Sequence, residues 1–255
     1  MIYAIYGEHQ CKEELNNKLL ERGHVRDDDN PQYVFSIGGD GTILRAIQKY
    51  MKNIENVYFV GVNLGRLGFY TDFEQKEIDS AITLIEKSEY KVAEYNLIEY
   101  LLRSKDIYKS GFGLNEITII NPVHTQIIEV LIDDKHFETF RGTGFLLATP
   151  TGSTAYNKAL GGSVIDPNIC ALQLTEIASI NNRVYKTLGS SLVLAQDTIV
   201  KLKSDFTQTY IAIDGMLDDF PNVDEVIVRL STRKARFIIK EKIDFWDRVK
   251  KSFLE

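Results

Sequence analysis

Tyr33-Val34-Phe35-Ser36-Ile37-Gly38-Gly39-Asp40-Gly41-Thr42 is the stretch that decides the fold of this chain. Its first half is an apolar run of strand length, and the residues from Ile43 to Met51 read as a helix. A buried strand therefore enters a glycine turn holding one carboxylate and leaves it as a helix. Glycine reaches backbone angles that other residues resist and lets a ligand come close to the main chain. A helix start offers free N–H groups and positive partial charge, which suit phosphate oxygens. Asp40 then sits where a phosphate and a hydroxyl could meet, the placement a general base or a metal-linked carboxylate needs. The plainer alternative is a tight strand-to-helix turn in which Asp40 only caps the helix.

The surrounding pattern extends this reading. Residues 2–6 form a strand, and residues 12–22 a helix with Leu15, Leu19 and Leu20 on one face and Gly23 as its stop. Asp27-Asp28-Asp29-Asn30-Pro31 is a polar loop. A second buried strand runs from Val57 to Val62 and opens into Asn63-Leu64-Gly65-Arg66-Leu67-Gly68-Phe69-Tyr70, before a helix over about 74–88. Strands alternating with helices imply an α/β domain over 1–89 with a parallel sheet. Ligands of such sheets bind at the carboxyl ends of the strands, where both glycine loops would lie.

Near residue 90 the texture changes. Strand-like segments follow at 90–103, 115–120, 126–132, 145–148, 191–194, 199–202, 209–213, 226–230 and 236–239, and Asp133-Asp134-Lys135 reads as a hairpin turn. This implies a β-rich second domain over 90–235. Residues 236–255 form a terminal strand and helix, with Phe245, Val249 and Phe253 on one face, expected to pack back on the N-terminal domain.

Composition narrows the function. The chain has 255 residues, 44% of them apolar, and a formal charge of −6 with no block of Lys or Arg, which argues against nucleic acid or an acidic membrane as partner. No apolar run is long enough for a membrane span. Cys11 and Cys170 stand far apart, and His9, His24, His124 and His136 have no zinc spacing; a reduced, cytoplasmic protein is expected.

Neither a Walker-A loop nor GxGxxG occurs, so the turn at 38–42 is not one of the two commonest nucleotide cradles. A second cluster lies at 141–156, where a buried strand ends in Thr149-Pro150-Thr151-Gly152-Ser153-Thr154-Ala155-Tyr156. Its short hydroxyls offer donors and acceptors, and Tyr156 offers a flat face for a base or ribose; a Ser/Thr-rich helix cap is the alternative. Asn115-Glu116 pairs an amide with a carboxylate, a set suited to a ribose diol or simply to a solvated strand end.

Taken in this order, the chain resembles the NAD kinases of the short bacterial type. GGDGT at 38–42, GxLGFY at 65–70, Asn115-Glu116, TPTGSTAY at 149–156 and Asn181-Asn182-Arg183 carry the resemblance across nearly the whole chain. GGDG is shared with diacylglycerol kinases and phosphofructokinases; TPTGSTAY separates this chain from them. The resemblance implies transfer of the ATP γ-phosphoryl group to the 2′-hydroxyl of the adenosine ribose of NAD, with Mg²⁺ or another divalent cation, in a dimer or tetramer whose sites neighbouring subunits complete. It makes Asp40 the catalytic base and has Gly39 and Gly41 hold phosphate. Asn115 and Glu116 hold ribose hydroxyls, and Thr154, Ala155 and Tyr156 form the adenosine pocket of the β-rich, dinucleotide-binding domain. Phe69 and Tyr70 line the cleft, Asp214 faces it, and Ile180 and Tyr185 complete a site across the subunit boundary. Arg141 is a further dinucleotide-binding position, and Thr143, which stands where the family often has Asp, belongs to the nicotinamide end. The competing expectations are a lipid or sugar kinase of the same superfamily and a non-catalytic dinucleotide-binding regulator.

Overall fold

A computed structural model of the chain describes residues 1–65, 68–105, 107–240 and 244–255; the centre of the 65–70 motif, Arg66 and Leu67, lies outside the described residues, as do 241–243 of the terminal segment. Two compact units result, one of residues 1–95 and 233–255, the other of residues 96–232.

The first unit is built on a parallel sheet. β1 (Ile2–Tyr6) lies between β2 (Val25–Arg26) and β3 (Tyr33–Ile37), and β4 (Tyr58–Asn63) pairs with β3 from Tyr33↔Tyr58 to Ile37↔Val62. The short β5 (Phe73–Glu74) also runs parallel to β4. Helix α1 (Cys11–Glu21) joins β1 to β2, while α2 (Asp40–Lys49) leads from β3 toward β4. The chain thus leaves β1 in one direction and β3 in the other. Their carboxyl ends form a topological switch point, the place where open α/β sheets bind ligands.

Alternation assigns the faces. Phe35, Ile37, Val60 and Val62 share one buried cluster with Leu15 and Leu19 of α1 and with Ile78, Ile82 and Ile85 of α3 (Ile78–Glu86). Gly61 points the other way, where a Cβ would come within 2.8 Å of Ile43 Cδ1 of α2. The expected helix at 74–88 begins later, after a single 3₁₀ turn at Gln75–Glu77. The terminal helix α5 (Phe245–Phe253, numbered after the one-turn α4, Tyr156–Ala159) packs on this unit: Phe245 and Phe253 both lie 6.1 Å, centroid to centroid, from the ring of Phe69.

The second unit is antiparallel. β8 (Glu116–Ile120), β11 (Gly144–Ala148), β12 (Ala171–Ile177), β13 (Leu192–Ala195), β15 (Tyr210–Ile213) and β16 (Met216–Asp218) form a sheet in the order β13-β12-β11-β8-β15-β16. The unit's other strands are β7 (Ile107–Gly113), β9 (Gln126–Ile132), β10 (Lys135–Gly142) and β14 (Ile199–Lys203), with residues 96–104 of β6 (Lys91–Ser104) and 225–232 of β17 (Glu225–Ile239). Ile128, Val130, Phe140, Val200 and Val228 from these pack with Ile117, Ile119, Phe145 and Leu147 of the six-stranded sheet in one core. The hairpin between β9 and β10 turns at Asp133 and Asp134, both with positive φ, as the sequence predicts. Sequence reading missed β7, β10 and β12, and divided β17 in two at its polar centre; the strand runs unbroken through 231–235.

Candidate active site

The first unit contributes the acid. Strand β3 ends in Gly38, whose φ of +146° only glycine adopts readily, and a Cβ there would stand 2.4 Å from Thr42 Oγ1. Gly39 caps α2 in extended conformation and Asp40 opens the helix. The Asp40 carboxylate is half-buried and held from outside its own helix: Phe69 N–H donates to Oδ2 at 2.8 Å and Tyr70 N–H to Oδ1 at 3.1 Å. Gly68 lies so close that a Cβ there would be 2.2 Å from Asp40 Oδ1. These contacts explain the Gly-Phe-Tyr of the second glycine motif. Phe69 and Tyr70 serve Asp40 through their backbone, while the Tyr70 ring is buried against Phe237 and Tyr95.

At the switch point lies a pocket of about 610 Å³, lined by Gly7, Glu8, Lys12, Gly38, Thr42, Arg45 and Lys49 among others. Gly7 ends β1 with a φ of +117°, and a Cβ there would strike Ile37 O at 2.3 Å. Arg26 in the same wall is bound to Asp28 at 2.8 Å; Lys12, Arg45 and Lys49 are the other basic residues of the lining among the described residues. Sequence reading missed Gly7 and these cations, since scattered basic residues give no linear signal.

The second unit assembles the polar cluster. Asp214 and Gly215 form the two-residue turn between β15 and β16, both with positive φ. The Asp214 carboxylate accepts from Leu114 N–H at 2.8 Å, Asn115 N–H at 2.7 Å and Glu116 N–H at 3.3 Å. It thereby fixes the main chain that presents Asn115 and Glu116. Thr149 supports the same chain from the other side: its N–H donates to Asn115 O at 2.9 Å and its hydroxyl to Leu114 O at 2.6 Å. Gly152 passes so close that a Cβ would meet Asn115 O at 2.1 Å. Ser153 donates to Pro150 O and accepts from Ile165 N–H, and Thr154 donates to Thr151 O at 3.2 Å. Most hydroxyls of TPTGSTAY therefore hold the loop itself. Tyr156 keeps its ring 44% exposed next to that loop.

Glu116 is the electrostatic anomaly. It is 6% exposed, and its Oε2 is buried without a hydrogen-bond partner among the described residues. Burial first, and the Asp214 charge second, push its carboxyl from 4.5 up to about 8. An unpaired acceptor of this kind is unusual unless a ligand supplies the donor.

A further group forms along 141–143 and 177–185. The Arg141 guanidinium lies 4.1 Å from the centre of the Tyr185 ring, Ile180 N–H donates to Arg141 O at 2.8 Å, and Thr143 N–H donates to Ile177 O at 2.9 Å. Asn182 accepts from Val184 and Tyr185 N–H groups, which turns the chain to place Tyr185.

Residues 5–90 match the family model described as the ATP-NAD kinase N-terminal domain, and residues 114–239 match the ATP-NAD kinase C-terminal domain. The chain is 40% identical over 249 residues to NAD kinase 1 of Oceanobacillus iheyensis, covering 96% of this chain and 93% of that protein. It is 41% identical over 247 residues to NAD kinase of Staphylococcus aureus, covering 95% and 92%. The fold is shared with yeast NADH kinase complexed with NADH (TM-score 0.84, 21% identity, 99% of this chain and 86% of that one) and with an NAD kinase from Archaeoglobus fulgidus in complex with ATP (TM-score 0.79, 22% identity, 98% of each).

Proposed function

The chain belongs to the NAD kinase family of ATP-dependent phosphotransferases, and from that premise we propose that it moves the γ-phosphoryl group of ATP to the 2′-hydroxyl of the adenosine ribose of NAD, with Asp40 as general base. The observation that carries the role of Asp40 is its carboxylate, steadied by two N–H groups at a glycine turn beside a basic pocket. The hydroxyl proton passes to Asp40, the freed oxygen forms a bond to the γ-phosphorus, and the bond to the β-phosphate oxygen breaks, so that ADP leaves and NADP remains. Such transfers depend on placement and charge neutralisation more than on covalent help from the protein.

Each remaining residue has a part in this reading. Gly39 and Gly41 hold phosphate, and Lys12, Arg45 and Lys49 neutralise the donor. Asn115 and Glu116 take the ribose hydroxyls, which gives the unpartnered Glu116 Oε2 its donor. Asp214 acts by fixing these two. Thr154, Ala155 and Tyr156 receive the adenosine, with the exposed Tyr156 ring as its stacking face. Phe69 and Tyr70 border the cleft through the backbone that steadies Asp40. Arg141 is a further dinucleotide-binding position, and Thr143 attends the nicotinamide end. Ile180 and Tyr185, both partly exposed, complete the site of a neighbouring subunit in a dimer or tetramer.

Among the described residues no group of three or more His, Cys, Asp or Glu could hold a metal ion. In this reading Mg²⁺ or another divalent cation arrives with the ATP phosphates, the way Mg²⁺ is usually carried. Among the described residues no helix is long and apolar enough to cross a membrane, and we place the reaction in the cytoplasm.

The deciding experiment is NADP formation from NAD, ATP and Mg²⁺ by the parent and by Asp40→Asn. Loss of a general base is worth roughly 10²–10⁴-fold in turnover. A folded Asp40→Asn protein that turns over at the parent rate would remove Asp40 from the mechanism.

A further inference from the structure

Arg248 lies on α5, 180 residues from Gly68 in sequence, and is 7% exposed. Its guanidinium donates through Nη1 to the carbonyl of Gly68 and through Nη2 to Asp72 Oδ1. The Gly68 carbonyl belongs to the same peptide unit as the Phe69 N–H, and that N–H donates to Asp40 Oδ2 at 2.8 Å. A trans peptide is rigid and planar, with its C=O and N–H directed oppositely. One peptide plane thus stands between the Arg248 guanidinium and the Asp40 carboxylate, bonded to each by one end. A cation on the carbonyl also polarises the peptide and strengthens its N–H as a donor.

The rest of α5 packs on Phe69 of the same loop: Phe245 and Phe253 both contact the Phe69 ring. Asp244 starts the helix by accepting from Trp246 N–H at 2.9 Å. Within the loop, Gly68 N–H donates to Thr71 Oγ1 at 3.1 Å, and a Cβ at Gly68 would collide with Asp40.

We propose that Arg248 is a positioning residue of the phosphoryl transfer, holding the Gly68–Phe69 peptide so that it fixes the Asp40 carboxylate. This rests on the reading of Asp40 as the base. Arginine suits the task because one planar fork reaches two acceptors at once, which lysine cannot reproduce. Burial pushes the Asp72 carboxyl up and Arg248 pulls against it, so removing Arg248 alone strands a buried acid and costs stability for a reason unrelated to catalysis.

The test therefore uses the full-length chain in four forms: Arg248→Lys, Arg248→Met, Arg248→Met with Asp72→Asn, and Asp40→Asn. Melting temperature, kcat, and KM for NAD and ATP are measured for each. Positioning predicts that Arg248→Met lowers kcat at least tenfold with both KM values within about threefold, that Arg248→Lys lies between it and the parent, and that the double variant regains melting temperature but not kcat. A double variant that recovers both kcat and melting temperature would overturn the proposal, leaving Arg248 as a structural residue. So would an Arg248→Met protein within twofold of parental kcat. If Arg248→Met does not fold, the double variant decides by the same readouts, and if that also fails to fold, parental kcat in Arg248→Lys overturns the proposal. Full activity in Asp40→Asn would instead overturn the reading of Asp40, a separate failure with its own signature.

Discussion

Replacing Glu116 with Gln isolates the electrostatic cost that the second unit carries. Glu116 is 6% exposed, its Oε2 has no partner among the described residues, and the Asp214 charge is nearby, so its carboxyl is raised from 4.5 to about 8. The folded chain therefore keeps a proton that the unfolded chain releases near pH 4.5. The sign follows from linkage: where the native state binds more protons, stability falls as pH rises. The contribution is complete below about pH 4.5, declines through the interval, and is gone above about pH 8. The gap of 8 minus 4.5 is about 3.5 units, which at about 1.4 kcal/mol per unit sets a ceiling of about 5 kcal/mol. Glutamine has nearly the same shape and does not ionise. Glu116→Gln should thus melt close to the parent at pH 5 and above it at pH 8. At roughly 2–4 °C per kcal/mol for chains of this size, half the ceiling corresponds to about 5–10 °C. The assay is a series of ligand-free melts from pH 5 to 8, read as the difference between the two proteins so that other titrating groups cancel. Parallel curves across the range would show that the Glu116 carboxyl is not raised, and the account of an unpaired acceptor awaiting a ribose hydroxyl would fall with it. Above about pH 8, where the parent's Glu116 carboxyl is ionised, the same substitution should also raise KM for NAD, because an ionised acceptor makes the stronger hydrogen bond to a hydroxyl.

Gly68→Ala tests the grip on Asp40 from the opposite direction to Arg248. The new Cβ would lie 2.2 Å from Asp40 Oδ1 and 2.9 Å from Thr71 Oγ1, so carboxylate and loop must separate. Hydrogen bonds to a charged group contribute about 1.5–3 kcal/mol each. A loss of about 100-fold in kcat, measured as NADP formation, is expected, and parental kcat would show that the two bonds do not matter to turnover. Thr143→Asp tests the proposed place of Thr143 at the nicotinamide end. Oxidised nicotinamide is cationic and the reduced ring is neutral, so the ratio of kcat/KM for NAD over NADH should rise by about fivefold, the effect of about 1 kcal/mol from a partly exposed charge pair. An unchanged ratio in steady-state assays with both dinucleotides would separate Thr143 from that end of the ligand.

What could be read from the residues was what is local. β3 and β4 are buried runs ending in glycine turns, and no partner is needed to recognise them. Edge and exposed strands were harder. β10, Lys135–Gly142, is exposed along most of its length and so shows no apolar alternation, and β7, Ile107–Gly113, contains two glycines. The split reading of β17 came from the polar run Ser231-Thr232-Arg233-Lys234, which strand pairing overrides. The site residues were legible as types, but their bonds were not. Asp40 meets peptide groups 29 and 30 residues away, and Asp214 meets groups about 100 residues away. Such closures follow from topology and leave no trace in spacing. Asp214 illustrates the consequence: expected to face a ligand, it has its carboxylate occupied by the backbone that carries Asn115 and Glu116.

The glycines of GGDGT are not equivalent, and the difference separates what the fold requires from what a ligand requires. Gly38 has a left-handed φ and a Cβ there would strike Thr42, so the turn itself excludes any other residue. Gly39 and Gly41 have no left-handed φ. Among the described residues a Cβ on Gly39 would meet nothing within 4 Å, and one on Gly41 only Arg45 Nη1 at 3.8 Å. At Gly41, inside the helix, glycine in an ordinary conformation with open space around it costs about 0.5–1 kcal/mol relative to alanine, whereas Gly39 sits at the N-cap, where glycine is well tolerated. The two positions flank Asp40 at the first turn of α2, where N–H groups are free. Their openness fits the proposal that an anion approaches the backbone closely at this helix start.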